Sequence, residues 1–136
     1  MNISLRRGEK IYINGAIFRV DRKVCIELLN DVSFLLENHV MQAADATTPL
    51  RQLYFVIQMM LMTPSERAAP LAMYRDMESA LRQATSDARI LDGLTKVSEL
   101  IDEERLFDAL KTTRTLFPVE QEILGGGESA PQAKVA

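Results

Sequence analysis

Ile3-Ser-Leu-Arg-Arg-Gly-Glu-Lys-Ile-Tyr-Ile-Asn-Gly-Ala16 and Ala46-Thr-Thr-Pro-Leu-Arg-Gln-Leu-Tyr-Phe-Val-Ile-Gln-Met-Met-Leu61 are the two stretches whose reading decides the fold. In the first, apolar and polar residues alternate with period two, as they do in a strand with one face buried. Asn14-Gly15 interrupts the alternation, and both residues tolerate the positive φ that a type I′ hairpin turn requires. In the second, Thr48-Pro49 reads as a helix start. Thr48 is the N-cap, and Pro49 takes the first helical position, where its missing N–H costs nothing. A small sheet followed by helices makes the chain α+β.

Working outward, Val24, Ile26 and Leu28 alternate, as do Val32, Phe34 and Leu36. With turn candidates at Asp21-Arg22-Lys23 and Asn30-Asp31, residues 2–40 predict four or five short antiparallel strands in a meander. About 40 residues of sheet bury too little surface to stand alone. The sheet must therefore pack on the helical half, on a second copy of itself, or on both. The Thr48 helix runs to about Met62, where Thr63-Pro64 stops it. It is apolar on nearly every side, which predicts a central buried helix. A second helix is expected over about 65–85, with Pro70 delaying its regular part, and a third over about 87–101. A fourth is expected over about 103–117, with the acidic run Asp102-Glu103-Glu104 at its positive end. The expected organisation is a β-sheet region over 1–42, a helical bundle of about four helices over 43–124, and a disordered tail over 125–136.

The bulk numbers bound the function. The chain has 136 residues, 47% of them hydrophobic, a net charge of −3 and a pI of about 5.2. That is enough apolar material for one core, with no global basic field, so a nucleic-acid partner would have to meet a local basic patch. One cysteine, Cys25, excludes an internal disulfide and suits a reducing cytoplasm; it reads as a small buried hydrophobe. The longest apolar stretch, Val56 to Met62, is broken by Gln58 and is too short to span a bilayer. With one histidine and one cysteine, no zinc ligand set is visible, nor any phosphate-cradling loop or nucleophile elbow. No enzyme activity, cofactor, metal or membrane association is expected.

The candidate functional residues are basic. Arg6, Arg7 and Lys10 surround the first turn, and Arg19, Arg22 and Lys23 a later one. These six are balanced over residues 1–48 by Glu9, Asp21, Glu27, Asp31, Glu37 and Asp45. Guanidinium forks suit phosphates and guanine edges, both of which single-stranded RNA loops offer. The alternative is a solvated sheet face. Arg51, one turn into an apolar helix, would reach a carboxylate, the sheet or a ligand. Tyr54 and Phe55 read as core, though aromatics also stack on bases. Met59, Met60, Met62, Met73 and Met77 would either fill the core or line an adaptable groove. His39, beside Asn38 at a strand end, is either a turn residue or part of a binding rim.

Arg7-Gly-Glu-Lys10, Ile13-Asn-Gly-Ala16, Phe34-Leu-Leu-Glu-Asn-His-Val-Met-Gln42 and Thr47-Thr-Pro-Leu-Arg-Gln-Leu-Tyr-Phe55 together resemble the FlbT family, over about residues 2–120. The resemblance implies a post-transcriptional regulator of flagellum biogenesis. It would act at the 5′ untranslated region of flagellin mRNA, repressing more than activating, through effects on stability and translation. It also implies FlaF as a partner. The alternative, which the acidic net charge and the Met-rich helices favour, is a protein-interaction module that binds FlaF or flagellin, with effects on RNA indirect. A second resemblance covers residues 2 to about 42. Leu5-Arg-Arg-Gly-Glu9 and Asp31-Val-Ser-Phe34 with Glu37 are similar to the CsrA/RsmA carbon-storage regulators, interlocked β dimers that bind GGA-containing RNA. It implies a CsrA-like meander, a homodimer through the sheet, and an RNA edge made of Leu5, Arg6 and Arg7 with Leu36, Glu37, Asn38 and His39. The chain departs from that pattern in two places. One residue is missing between the arginine pair and the glycine, and Leu36 stands where those proteins have an arginine. The expected RNA-binding set is Leu5, Arg6, Arg7, Lys10, Arg22, Lys23, Asn38, His39 and Arg51.

Overall fold

A computed structural model describes residues 2–30, 32 and 34–125. Five strands, β1 (Asn2–Leu5), β2 (Lys10–Ile13), β3 (Ala16–Arg19), β4 (Val24–Glu27) and β5 (Phe34–Leu36), precede the helices α1 (Pro49–Met62), α2 (Ala68–Ala84), α3 (Ala88–Asp102), α4 (Leu106–Thr115) and α5 (Phe117–Gly125). Three short 3-10 turns, over Glu37–His39, Ala43–Asp45 and Pro64–Glu66, fill the connections. The architecture is α+β, with the small antiparallel sheet region first and the helices after it. The expected fourth helix breaks at Leu116 and continues as α5. Of the expected disordered tail, only Gly125 is described, and it closes α5; the rest lies outside the described residues, as do Asp31 and Ser33.

The strands do not pair in chain order. β1 pairs with β4, and a second sheet has the order β3-β2-β5, every pairing antiparallel. Only the β2–β3 hairpin joins neighbours, through Asn14 (φ 47°) and Gly15 (φ 88°), the expected I′ turn. The meander therefore fails. Alternation fixes which face of a strand is buried but leaves its partner open. β5 returns beside β2 because Phe34 and Leu36 fall opposite Ile13 and Ile11 on one face. There they meet Ile3 and Leu5 of β1 in a small core of Ile3, Leu5, Ile11 and Phe34. The opposite face carries Tyr12 and Leu35 into the main helical core. Phe107 links the two cores by stacking on Phe34, with ring centroids 4.6 Å apart. Cys25 is exposed, contrary to expectation. The pleat of β4 turns Val24 and Ile26 inward and Cys25 and Glu27 outward.

α1 is the central helix, packed by α2 and α4, with eight residues buried from Leu50 to Leu61. Thr48 caps it as expected, accepting from the Arg51 N–H at 3.2 Å. Gln58, the polar break in the apolar run, is buried. Its amide accepts from Met41 N (2.7 Å) and donates to Met41 O (2.9 Å), fastening the sheet-to-helix connection to α1. Met60 is fully buried and Met62 and Met77 partly so, whereas Met59 and Met73 are exposed.

The acidic run ends a helix instead of starting one. Asp102 is the last residue of α3 and Glu103 its C-cap. Arg105 N donates to Leu100 O and Glu104 N to Ile101 O, a Schellman closure. The carboxylates are held by arginines: Asp102 by Arg75, Glu103 by Arg105 and Glu104 by Arg67. The closure puts Glu104 in the left-handed region at φ 60°, where a Cβ is strained and glycine is favoured. Glu104→Gly is therefore expected to raise stability by about 0.5–1 kcal/mol. A chemical denaturation midpoint lower than the parent's would contradict this.

Candidate nucleic-acid interface

Residues from three separate segments converge on one cleft of about 250 Å³. Ser4, Leu5 and Arg6 come from the end of β1, with Glu9 and Lys10 from the turn into β2. Lys23 comes from the approach to β4, and Leu36, Glu37 and Asn38 from the end of β5. Two backbone-anchored carboxylates shape it. Glu9 Oε1 accepts from Arg6 N at 2.6 Å, closing the tight turn in which Gly8 has φ 84°. Glu37 Oε1 accepts from Lys10 N at 2.8 Å, fastening the end of β5 to the start of β2. Gly8 N also donates to Val20 O, and Val20 N to Glu9 O, so the later basic turn is held against the first.

The cations are less engaged than the carboxylates. The Arg6 side chain is 85% exposed and only 3.9 Å from Glu9, a pairing worth little in water. Among the described residues neither Lys10 nor Lys23 forms an ion pair within 4.0 Å. Three cations thus face the cleft against two carboxylates, each of which gives one oxygen to a backbone N–H, with the apolar Leu5 and Leu36 as walls. Such an arrangement can take a phosphate and the face of one unstacked base.

Of the expected site residues, Leu5, Arg6, Lys10, Lys23 and Asn38 line this cleft; Leu5 is buried and serves as wall. Arg7, Arg22, His39 and Arg51 do not. Arg7 is exposed on the turn outside it, and Arg22 pairs with its neighbour Asp21 at 3.3 Å. Arg51 reaches neither a carboxylate nor the sheet. Its guanidinium lies 4.5 Å from the centroid of the Phe117 ring at the start of α5, a cation–π contact within the helical half. Ser4 and Glu9 also line the cleft; for Glu9 the available signal was its spacing of three from Arg6, the reach of a turn-closing side chain.

His39 belongs to the joint between sheet and helices. Its carbonyl accepts from Tyr54 Oη (2.6 Å), which accepts from Arg114 (3.2 Å). Its Nδ1 is buried without a partner. Burial first, and the Arg114 charge second, hold its pKa below the usual 6.5. The folded state therefore binds fewer protons than the unfolded chain. The stability that His39 contributes is complete above pH 6.5 and is lost as pH falls from there through the folded pKa. His39→Gln should remove this slope from unfolding free energies measured between pH 7 and pH 5. An unchanged slope would mean the imidazole is solvated.

The family profile described as Flagellar protein FlbT matches residues 1–124. The chain belongs to the FlbT family. It is 56% identical over 126 residues to the probable flagellum biosynthesis repressor protein FlbT 2 of Bradyrhizobium diazoefficiens, covering 93% of each chain. It is 50% identical over 131 residues to the FlbT protein of Chelativorans sp. (96% of this chain, 90% of the relative). It is 48% identical over 133 residues to that of Mesorhizobium japonicum (98% and 90%). Both of these are likewise named probable flagellum biosynthesis repressors, and none of the three names is that of an enzyme. No solved structure matches the chain. Among the described residues of this FlbT-family chain, no group of three or more His, Cys, Asp or Glu could hold a metal ion. No described helix is long and apolar enough to cross a membrane.

Proposed function

We propose that this FlbT-family chain represses flagellum biosynthesis by binding the 5′ untranslated region of flagellin mRNA in the cleft between β1 and β5. The observation that carries the reading is the gathering of Arg6, Lys10 and Lys23 from three segments onto one concave surface, in a protein with no overall basic field. The names of the relatives supply repression of flagellum biosynthesis. The cations supply an anion-binding surface, and the apolar walls supply room for a base. An occupied leader would be closed to the ribosome or marked for decay, and the protein would act in the cytoplasm beside its transcript.

The test is photo-crosslinking of a thiouridine-substituted flagellin leader to the purified protein. Crosslinks are expected in peptides containing residues 4–10, 23 and 36–38. Crosslinks confined to the helices would contradict the site.

A second reading rests on Met59 and Met73, which are exposed on the packed pair α1 and α2. Polarizable, adaptable side chains of this kind suit protein partners. FlaF or flagellin would dock there, and effects on RNA would be indirect.

A further inference from the structure

We propose that β3 is a homodimerisation edge, pairing antiparallel with β3 of a second copy about a two-fold axis at Phe18. The second sheet is covered on both sides: the face of Ile11, Ile13, Phe34 and Leu36 by the small core, and the face of Tyr12 and Leu35 by the helices. β3 is one of the two edge strands of this sheet, β5 being the other, and lies outside both covers. All four of its residues are exposed, including Ile17 (64%) and Phe18 (50%). Its protections are slight: it is short and ends in Arg19, but it has no proline, no bulge and no charge pointing into the core.

Hairpin geometry fixes which backbone groups are free. In a two-residue I′ hairpin the residues flanking the turn, Ile13 and Ala16, form a hydrogen-bonded pair, and the bonding alternates from there. Ala16 and Phe18 therefore use their N–H and C=O groups on β2. Val20 continues the pattern by bonding to Gly8 and Glu9. The N–H and C=O groups of Ile17 and Arg19 point away from the sheet.

A second β3 meets this edge in a self-complementary register. Ile17 of each copy forms a hydrogen-bonded pair with Arg19 of the other, using all four free backbone groups. Phe18 faces Phe18 of the second copy in the closer, non-hydrogen-bonded position, where aromatic cross-strand pairs are favourable. No arginine opposes another arginine directly. Phe18 lies on the same face as Ile11, so the pair extends the small core across the axis. A four-residue strand pair buries less than a stable complex of standard size. The dimer should therefore form at tens of micromolar or above, and it would present two clefts to one transcript.

Sedimentation equilibrium of the full chain from a few micromolar to several hundred micromolar should show monomer passing to dimer. The geometry is tested by Phe18→Cys in a Cys25→Ser background. The two Cα atoms of a non-hydrogen-bonded pair lie about 4.5 Å apart, within disulfide reach. Mild oxidation should then trap a dimer much faster than the parent's exposed Cys25 does. Adding Ile17→Pro, which removes only an outward-facing N–H, should abolish both trapping and self-association while leaving the far-ultraviolet spectrum unchanged. A parent that stays monomeric throughout, or a dimer that Phe18→Cys does not trap, or trapping that survives Ile17→Pro, would each overturn the proposal.

Discussion

Glu120→Ala will cost about 3 kcal/mol, a large fraction of the stability of a domain this size. Glu120 lies in α5, is buried, and reaches the start of α1. Its Oε1 accepts from the Thr48 hydroxyl and its Oε2 from Leu50 N at 2.9 Å. Thr48 in turn accepts from Arg51 N, so the carboxylate serves one unpaired N–H at the head of the central helix directly and holds in place the hydroxyl that serves a second. A negative charge there also meets the positive end of the helix dipole. Alanine leaves a buried N–H and a hydroxyl without an acceptor, and α5 then holds α1 through the packing of Phe117 on Arg51 and Tyr54. Glu120→Gln retains one acceptor and should lose roughly half as much. Urea denaturation measures both. A loss below about 1 kcal/mol for the alanine variant would mean that water replaces the carboxylate and that α5 is dispensable.

Arg6→Ala with Lys10→Ala and Lys23→Ala should weaken binding of the flagellin leader on the order of a hundredfold near ~0.1 M salt, with the slope of log affinity against log salt smaller by about 2. Each cation releases about 0.7 of a counterion on meeting a single-stranded phosphate. Stability should change little, because Arg6 makes only a long contact to Glu9, and neither lysine has a described ion pair. Arg7→Ala with Arg19→Ala and Arg22→Ala removes the same three charges outside the cleft lining and should have a much smaller effect. Equal losses for the two variants, measured by electrophoretic mobility or anisotropy, would show a diffuse charge effect in place of a site.

The features legible in the sequence are those whose chemistry is local. Thr48-Pro49 starts α1 at the expected residue because capping is decided within four residues, and Asn14-Gly15 turns because its φ angles are its own. The pairing of β1 with β4 and of β2 with β5 was not legible, since alternation gives a face and the partner is chosen by the shared core of Ile3, Leu5, Ile11 and Phe34. Asp102-Glu103-Glu104 was misread because composition alone does not separate a helix start from a closing turn. The usual stop signal, glycine at the left-handed position, is replaced there by Glu104. The cleft was half legible. Arg6 and Lys10 announced themselves by clustering, and Lys23 joined them through backbone bonds between turns that spacing does not reveal. The ring of Phe117 was not among the contacts read for Arg51, because it lies far along the chain.

The most direct test of the RNA-cleft account is binding of the purified protein to its own flagellin 5′ leader across a salt series, with and without FlaF. The account predicts binding without FlaF that falls steeply as salt rises. Binding that appears only with FlaF, or that is indifferent to salt, would contradict it and move the function to a protein surface.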